Sequence, residues 1–420
     1  MSEPDSSPPG AGPLSGVRIV DMTTVIMGPY GTQILADYGA DVIKVEPPGG
    51  DVMRYGGAMR NPGMGALFLQ INRSKRSVGL DVKQQAGREA LLRICATADV
   101  FVTNVRPAGM RRARLADEDI RAVNPDIIYA SLVGYGQSGP YAALPAYDDL
   151  LQGRVGISAL MAQQSGGSPR FVPVTIVDRI VGLNSVHVIL AALFHKERTG
   201  RGQTVELPML ETMAQFVLGD HMGGRSFDPP LGAVGYSRLL APDRRPYKTS
   251  DGYVCTLVYT DGQWRSFYCA IGRSDAEFDA DPRLASQYIR AQHYAALYAL
   301  VAEELAKKTT AEWLDILKAH DIPVGPVHDL DELIDDPHLN AVGFFEDMQH
   351  PTEGALRMVG VPSTWSDSPA AITRPTPNLG EHSAEVLREA GYTEPEIESL
   401  FASRVAFAGA PRSLLPPAAA

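Results

Sequence analysis

Asp178 closes the run Pro173-Val-Thr-Ile-Val-Asp178 and precedes an apolar stretch that continues to Leu193. A carboxylate at the end of a β-branched segment, immediately before a buried helix, is held by the scaffold and partly dehydrated. Those conditions suit a nucleophile better than a solvated surface charge. The chain carries 49 Asp and Glu residues, and a single Asp ahead of a helix is most simply an N-cap. Its neighbours therefore have to decide between the two.

The elements that must position Asp178 follow a β-α-β rhythm. Val17–Asp21 is predicted as a strand that runs into a turn at Gly28-Pro29, followed by a helix over Thr32–Tyr38 and a second strand over Asp41–Glu46. Ser77–Asp81 precedes a helix over Gln85–Ala96, and Asp99–Thr103 and Asp126–Ser131 are further buried strands. Such alternation implies an α/β fold with a mainly parallel, doubly wound, Rossmann-like sheet. Ligands on such sheets sit beyond the carboxyl ends of the strands, here Thr23–Gly28, Asn104–Arg106 and Gly134–Gly139. No G-x-G-x-x-G follows the first strand and no P-loop is present, which disfavours a nicotinamide dinucleotide.

The texture changes after about Glu211. Pro242 and Pro246 bracket a break, a strand is predicted over Tyr253–Val258, and helices over Gln263–Ile271, Tyr288–Ala306 and Thr310–His320. The last opens on the capping box Thr309-x-x-Glu312. Leu297, Leu300, Val301 and Leu305 form a core stripe, and His187 is expected to be packed. Strand Leu356–Val361 and a helix over Ser383–Ala390 follow. The expected division is a disordered tail over 1–13, a large α/β domain over 14–215, a small inserted α+β domain over 216–330, the rest of the large domain over 331–405, and a second tail over 406–420.

Composition narrows the function. A net charge of −11 argues against nucleic acid or an anionic membrane as partner. Cys95, Cys255 and Cys269 have no CxxC spacing, so neither a disulfide framework nor a metal site is expected. No apolar run approaches the roughly 18 residues of a membrane span, and the acidic, Pro/Ser-rich start is the reverse of a signal peptide. The expected compartment is the cytoplasm.

Seven segments, in order, resemble the class III CoA-transferases, the family of formyl-CoA transferase and carnitine CoA-transferase. They are Gly39-Ala-Asp-Val-Ile-Lys-Val-Glu46, Asn72-Arg-Ser-Lys-Arg-Ser-Val-Gly-Leu-Asp81, Asn104-Val-Arg-Pro107, Gly134-Tyr-Gly-Gln-Ser-Gly-Pro-Tyr141, Thr199-Gly-Arg-Gly-Gln203, Asp321-Ile-Pro-Val-Gly-Pro-Val327 and Leu379-Gly-Glu-His382. The resemblance implies that Asp178 is the catalytic aspartate of a CoA transfer between carboxylic acids, by way of anhydride and aspartyl-CoA intermediates. It implies CoA contacts at Ile26, Met27, Leu80, Asp81, Lys83, Asn104, Val105, Arg106 and Arg112. Lys83, Arg106 and Arg112 could supply cations for the CoA phosphates. The CoA thioester is the substrate, and no permanently bound cofactor and no metal is expected.

Further expectations follow from the same resemblance. Asp178 must stay ionised, so backbone N–H groups or Lys/Arg are expected beside it. Gly223-Gly224 and Gly232–Gly235 are candidate loops over the site, although the four-glycine lid of some members is not matched. Pro47 replaces an adenine-side Arg, for which Lys75 and Arg76 could compensate. Arg54, Arg60 and Arg179 could meet a dicarboxylate, or Met27, Met53 and Met64 a bulky acid. Related α-methylacyl-CoA racemases carry a His-Asp pair where this chain has Tyr147-Asp148; a tyrosine is a poor base at neutral pH, so Tyr147 is expected to line the acyl pocket with Asp148 in a supporting hydrogen bond. The alternatives are a racemase and a non-catalytic CoA-binding protein. The family assembles as an interlocked homodimer, its active site between the large domain of one subunit and the small domain of the other.

Overall fold

A computed structural model of the chain describes residues 12–409. Six parallel strands, β1 Arg18–Met22, β2 Asp41–Glu46, β3 Arg76–Leu80, β4 Val100–Thr103, β5 Ile128–Val133 and β6 Thr204–Pro208, lie in the order β3-β2-β1-β4-β5-β6. Strand β1 pairs with β2 on one side and β4 on the other, so the chain winds outwards in both directions from it. The carboxyl ends of β1 and β4 therefore diverge at a topological switch point, where such sheets form a crevice. The interior-facing residues are β-branched and apolar (Val20, Ile43, Val45, Val78, Phe101), as a sheet covered on both faces requires.

Two helices frame the crevice. Helix α1 (Met27–Asp37) follows β1, and the 24-residue α3 (Ile176–Thr199) packs against α1, β5 and β6. Between them in sequence lies α2 (Asp148–Arg154), which also touches α3. The predicted turn at Gly28-Pro29 is instead the first turn of α1. Proline is tolerated there because the first turn of a helix needs no N–H from it. Asp178 likewise does not precede its helix but lies in its first turn, after the N-cap Thr175. By length and composition α3 could cross a membrane, contrary to the sequence expectation. In this fold its buried face, including Val177, Val181, Ser185 and Ile189, packs inside the large unit. His187 is exposed on α3 rather than packed.

The described residues divide into two compact units, 12–154, 173–214 and 338–409, and 155–172 and 215–337. Residues 155–172 and 331–337 thus leave the large domain to which they were expected to belong. The Gln164 amide shows why: it donates to the carbonyls of Ala241, Pro242 and Arg244 at 3.1–3.3 Å. The smaller unit holds a three-stranded antiparallel sheet (Tyr247–Lys248, Tyr253–Thr256, Val324–Pro326) against Trp264, Phe267, Leu297, Val301, Leu305 and Trp313. Its helix predicted over Tyr288–Ala306 is interrupted at His293. The expected tail over 406–420 also begins too early, because Ala406 and Phe407 pair antiparallel with Leu80 and Gly79 at the sheet edge. Residues 410–420 of that tail and residues 1–11 of the other lie outside the described residues.

Candidate active site

The carboxyl ends of β1, β4, β5 and β6 surround a cavity of about 280 Å³ lined by Thr24, Val25, Met27, Asn104, Arg106, Leu132, Gly134, Tyr147, Asp178 and Met209, with 144–146 completing the wall. Asp178 is 8% exposed. Its backbone N–H donates to Asp148 Oδ1 at 3.0 Å, and Asp148 Oδ2 accepts from the Gln152 amide at 2.7 Å. The Asp148 carboxylate, at the start of α2, thus holds the backbone of the first turn of α3. Among the described residues nothing hydrogen-bonds the Asp178 carboxylate itself, so it is open to a reactant.

That environment differs from the expected one. Burial, and then the charge of Asp148, raise the Asp178 pKa to about 7, while Arg179 opposes them weakly. Arg179 cannot do more because its guanidinium lies over the Tyr30 ring, 4.4 Å from its centre, and lines a separate apolar cavity. The first turn of α3 supplies orphan N–H groups and the positive end of its dipole, which favour the anion. The result is a carboxylate poised near neutrality, more basic than a solvated one.

The loop facing Asp178 is held by side chains beneath it. Thr23 donates its N–H and hydroxyl to Asp21 Oδ1 at 2.9 and 2.5 Å, and its carbonyl accepts from Lys44 Nζ at 2.9 Å. The Asn104 amide grips Thr24 from both sides, accepting its N–H at 3.0 Å and donating to its carbonyl at 2.8 Å. Val25 N–H donates to Asp51 Oδ1 at 3.2 Å. Val25 has φ +71°, a conformation that costs a β-branched residue about 1–3 kcal/mol and persists only where the surroundings impose it. Burial alone would raise the Asp21 pKa, but Lys75 and Lys44 outweigh it and hold it at about 2.

Of the residues expected to meet CoA, Met27, Asn104 and Arg106 line this cavity. The Arg106 guanidinium makes no ion pair among the described residues and is the cavity's cation. Ile26 is buried beside Met27, and Val105 N–H turns back to Thr103 Oγ1 at 3.2 Å. The Leu80 side chain sits in the sheet core, and Asp81 accepts the Lys83 N–H. Lys83 and Arg112 are exposed outside the cavity. Tyr147 is 64% exposed at its rim.

Several expected ligand groups are structural instead. Arg54 forms a buried two-pronged pair with Glu46 (2.7 and 2.6 Å) and covers the Phe68 ring. Lys75 is fully buried against Asp21, Asn72 and the Pro29 carbonyl, and Arg76 is shared among Asp41, Glu385 and Glu389. Arg60 donates to the Glu353 carbonyl, and Met64 packs against Arg54. Buried and ion-paired, Arg54, Lys75 and Arg76 are not available to an acid or an adenine phosphate, and Arg60 is exposed outside the cavity wall. Met53, like Met64, is not in the cavity wall, whereas Met27 is. Gly223-Gly224 and Gly232–Gly235 belong to the smaller unit, where Gly224 N–H donates to the Ala233 carbonyl at 3.0 Å. Sequence reasoning missed Val25, Leu132, Gly134 and Met209. The strand ends carrying Val25 and Gly134 were marked, whereas Leu132 within β5 and Met209 just after β6 were not, and no residue type at the four positions announces a role.

The sequence profile of CoA-transferase family III matches residues 14–383. The chain is 34% identical over 387 residues to the succinate–glutarate CoA-transferase of Agrobacterium fabrum, covering 90% of this chain and 95% of that protein. It is 33% identical to the formyl-CoA:oxalate CoA-transferase of Rhodopseudomonas palustris, with 92% and 96% covered. A crystal structure of a CAIB/BAIF family protein from Brucella suis superposes with a TM-score of 0.76 at 31% identity, covering 90% of this chain and all of that one. With a parallel switch-point crevice and this extent of similarity, the chain belongs to CoA-transferase family III and is a CoA-transferase.

Proposed function

We propose that the chain moves CoA from an acyl-CoA donor to a free carboxylic acid with Asp178 as covalent nucleophile. An Asp178 carboxylate oxygen attacks the thioester carbonyl, the C–S bond breaks, and CoA leaves as thiolate with an aspartyl anhydride behind it. The thiolate then attacks the aspartyl carbonyl, releasing the donor acid and leaving an aspartyl-CoA thioester. The acceptor carboxylate reverses the two steps and restores Asp178. No net proton moves, and each intermediate keeps the acyl activation provided water is excluded. The observation that carries this reading is a buried, unpartnered carboxylate opening into the switch-point cavity beside the free cation Arg106. Arg106 is the group we assign to a CoA phosphate; Asp148 orients the first turn of α3, and Tyr147 borders the acyl group.

Relatives named for succinate, glutarate, formate and oxalate make short acids the first to try. We further infer a homodimer, since α3 leaves Leu183 and Phe194 42% and 62% exposed, apolar surface that a second copy would cover. The test is intact-protein mass spectrometry after incubation with a panel of acyl-CoAs, including succinyl-CoA, for wild type and Asp178→Ala. A hydroxylamine-sensitive CoA adduct lost in the variant is expected, and the acyl-CoA that forms it names the donor. Absence of any adduct, with solvent exchange of the α-proton of a 2-methylacyl-CoA, would favour a racemase; absence of both leaves a CoA-binding protein.

A further inference from the structure

Beneath the Asp178 cavity lies an ion pair that touches no solvent. Lys44 and Asp51 are each 0% exposed, with Nζ 2.9 Å from Asp51 Oδ2. We propose that this pair is a positioning device for the transferase site, holding Val25 in its left-handed conformation and so fixing the wall opposite Asp178. The proposal rests on the reading that this cavity is where CoA transfer occurs.

Every polar atom of the pair is committed to the loop or to its support. Asp51 Oδ1 accepts the N–H groups of Val25 and Met53 at 3.2 and 3.0 Å, and Lys44 Nζ donates to the Thr23 carbonyl at 2.9 Å. The Asp51 N–H is itself anchored on Glu46 Oε2 at 3.1 Å. Lys44 comes from the middle of β2, so the loop is referenced to the sheet, as Asn104 references Thr24 to the end of β4. A buried ion pair is a poor way to add stability, because well-packed apolar residues usually do as well. What apolar residues cannot do is accept from Val25 and donate to Thr23 at once. Val25 has no intrinsic preference for φ +71°, so the conformation must be imposed, and Asp51 is the group bonded to its N–H.

An isosteric change already breaks this arrangement. Asn at position 51 must turn its NH₂ either to the Lys44 ammonium or to the N–H groups of Val25 and Met53, a donor against donors both ways. Glycine, in contrast, adopts positive φ without steric cost. The need for Asp51 should therefore fall in a V25G background, which a purely structural role would not produce.

The experiment is a double-mutant cycle of D51N and V25G, read as kcat and KM with the acyl-CoA that gives the Asp178 adduct. With Val25 present, D51N is expected to lower kcat by about tenfold or more, the scale on which misplaced reacting groups act, and to change KM for the acyl-CoA far less. In the V25G background the same change should cost less than about threefold. Equal losses in both backgrounds, or a D51N variant at the wild-type rate, overturn the proposal. A crystal structure of Asp51→Ala gives a reading independent of activity: Val25 should leave positive φ, and its persistence there overturns the proposal as well. Should that variant fail to fold, the D51N cycle decides. Wild type that forms no adduct with any donor defeats the transferase reading instead, and the Val25 backbone still decides the role of Asp51.

Discussion

An ionised Asp178 costs the fold free energy that its protonated form does not, because burial and then Asp148 raise its pKa to about 7. The sign follows from linkage. Below the ordinary carboxylate range both folded and unfolded chains hold the proton. As pH rises towards 7 only the folded chain keeps it, so stability falls across that window and levels off above it. Asp178→Asn should therefore be more stable than wild type by about 4 kcal/mol above pH 7, with the gain vanishing near pH 4. Denaturant unfolding at a series of pH values measures it, and a gain independent of pH contradicts it. Catalysis needs the ionised form, so kcat/KM for the acyl-CoA should rise with pH to a half-maximum near 7. Asp148→Asn keeps an acceptor for the Asp178 N–H but removes the repelling charge; its acid limb should move to lower pH, and an upward shift would refute the pairing. Asp178 and Asp148 were visible in the sequence because each sits in a linear motif. Val25 was not, since a β-branched residue is the type least suited to its conformation.

At the scale of elements, the site depends on how closely α1 and α3 cross. A Cβ on Gly182 would lie 2.7 Å from the Met27 carbonyl oxygen and 3.1 Å from the Tyr30 ring. A Cβ on Gly31 would lie 2.8 Å from the Gly182 carbonyl oxygen. The Met27 carbonyl is backbone within α1 and cannot step aside, so Gly182→Ala must part the helices. Overpacking of this kind costs about 1–3 kcal/mol, more than the roughly 1 kcal/mol that alanine gains in helix propensity. We expect a lower Tm by calorimetry and a reduced kcat, because Asp178 lies one turn away on α3; an unchanged or raised Tm contradicts the account. The parallel strands were legible from their β-branched runs. What those runs concealed was the charge among them: Lys75 and Arg76 read as ligand groups, Lys44 and Glu46 carried no assigned role, and only packing shows all four paired and buried.

At the scale of the whole molecule, the exposed apolar side chains of α3 bear on assembly. Phe194 and Leu183 stand exposed on α3, the longest helix among the described residues. Wild type should sediment as two chains, and Phe194→Glu should shift the distribution towards one, since a buried carboxylate facing a partner is strongly disfavoured. A monomeric wild type would sink the inferred dimer. The division into two units was only partly legible. Residues 155–172 follow α2 directly and look like a continuation of it, yet the Gln164 contacts tie them to the smaller unit.

The sequence alone determined the family, the parallel α/β core and the candidate nucleophile, because ordered motifs and β-branched periodicity are local properties of the chain. Tertiary structure decided which charges are available. Arg54, Arg76 and Arg179 are indistinguishable by type from Arg106, and Lys75 carries the same charge, but packing beside carboxylates or a tyrosine ring occupies these four and leaves Arg106 facing the cavity. Electrostatic role depends on dielectric and partner, and both are set by residues distant in sequence.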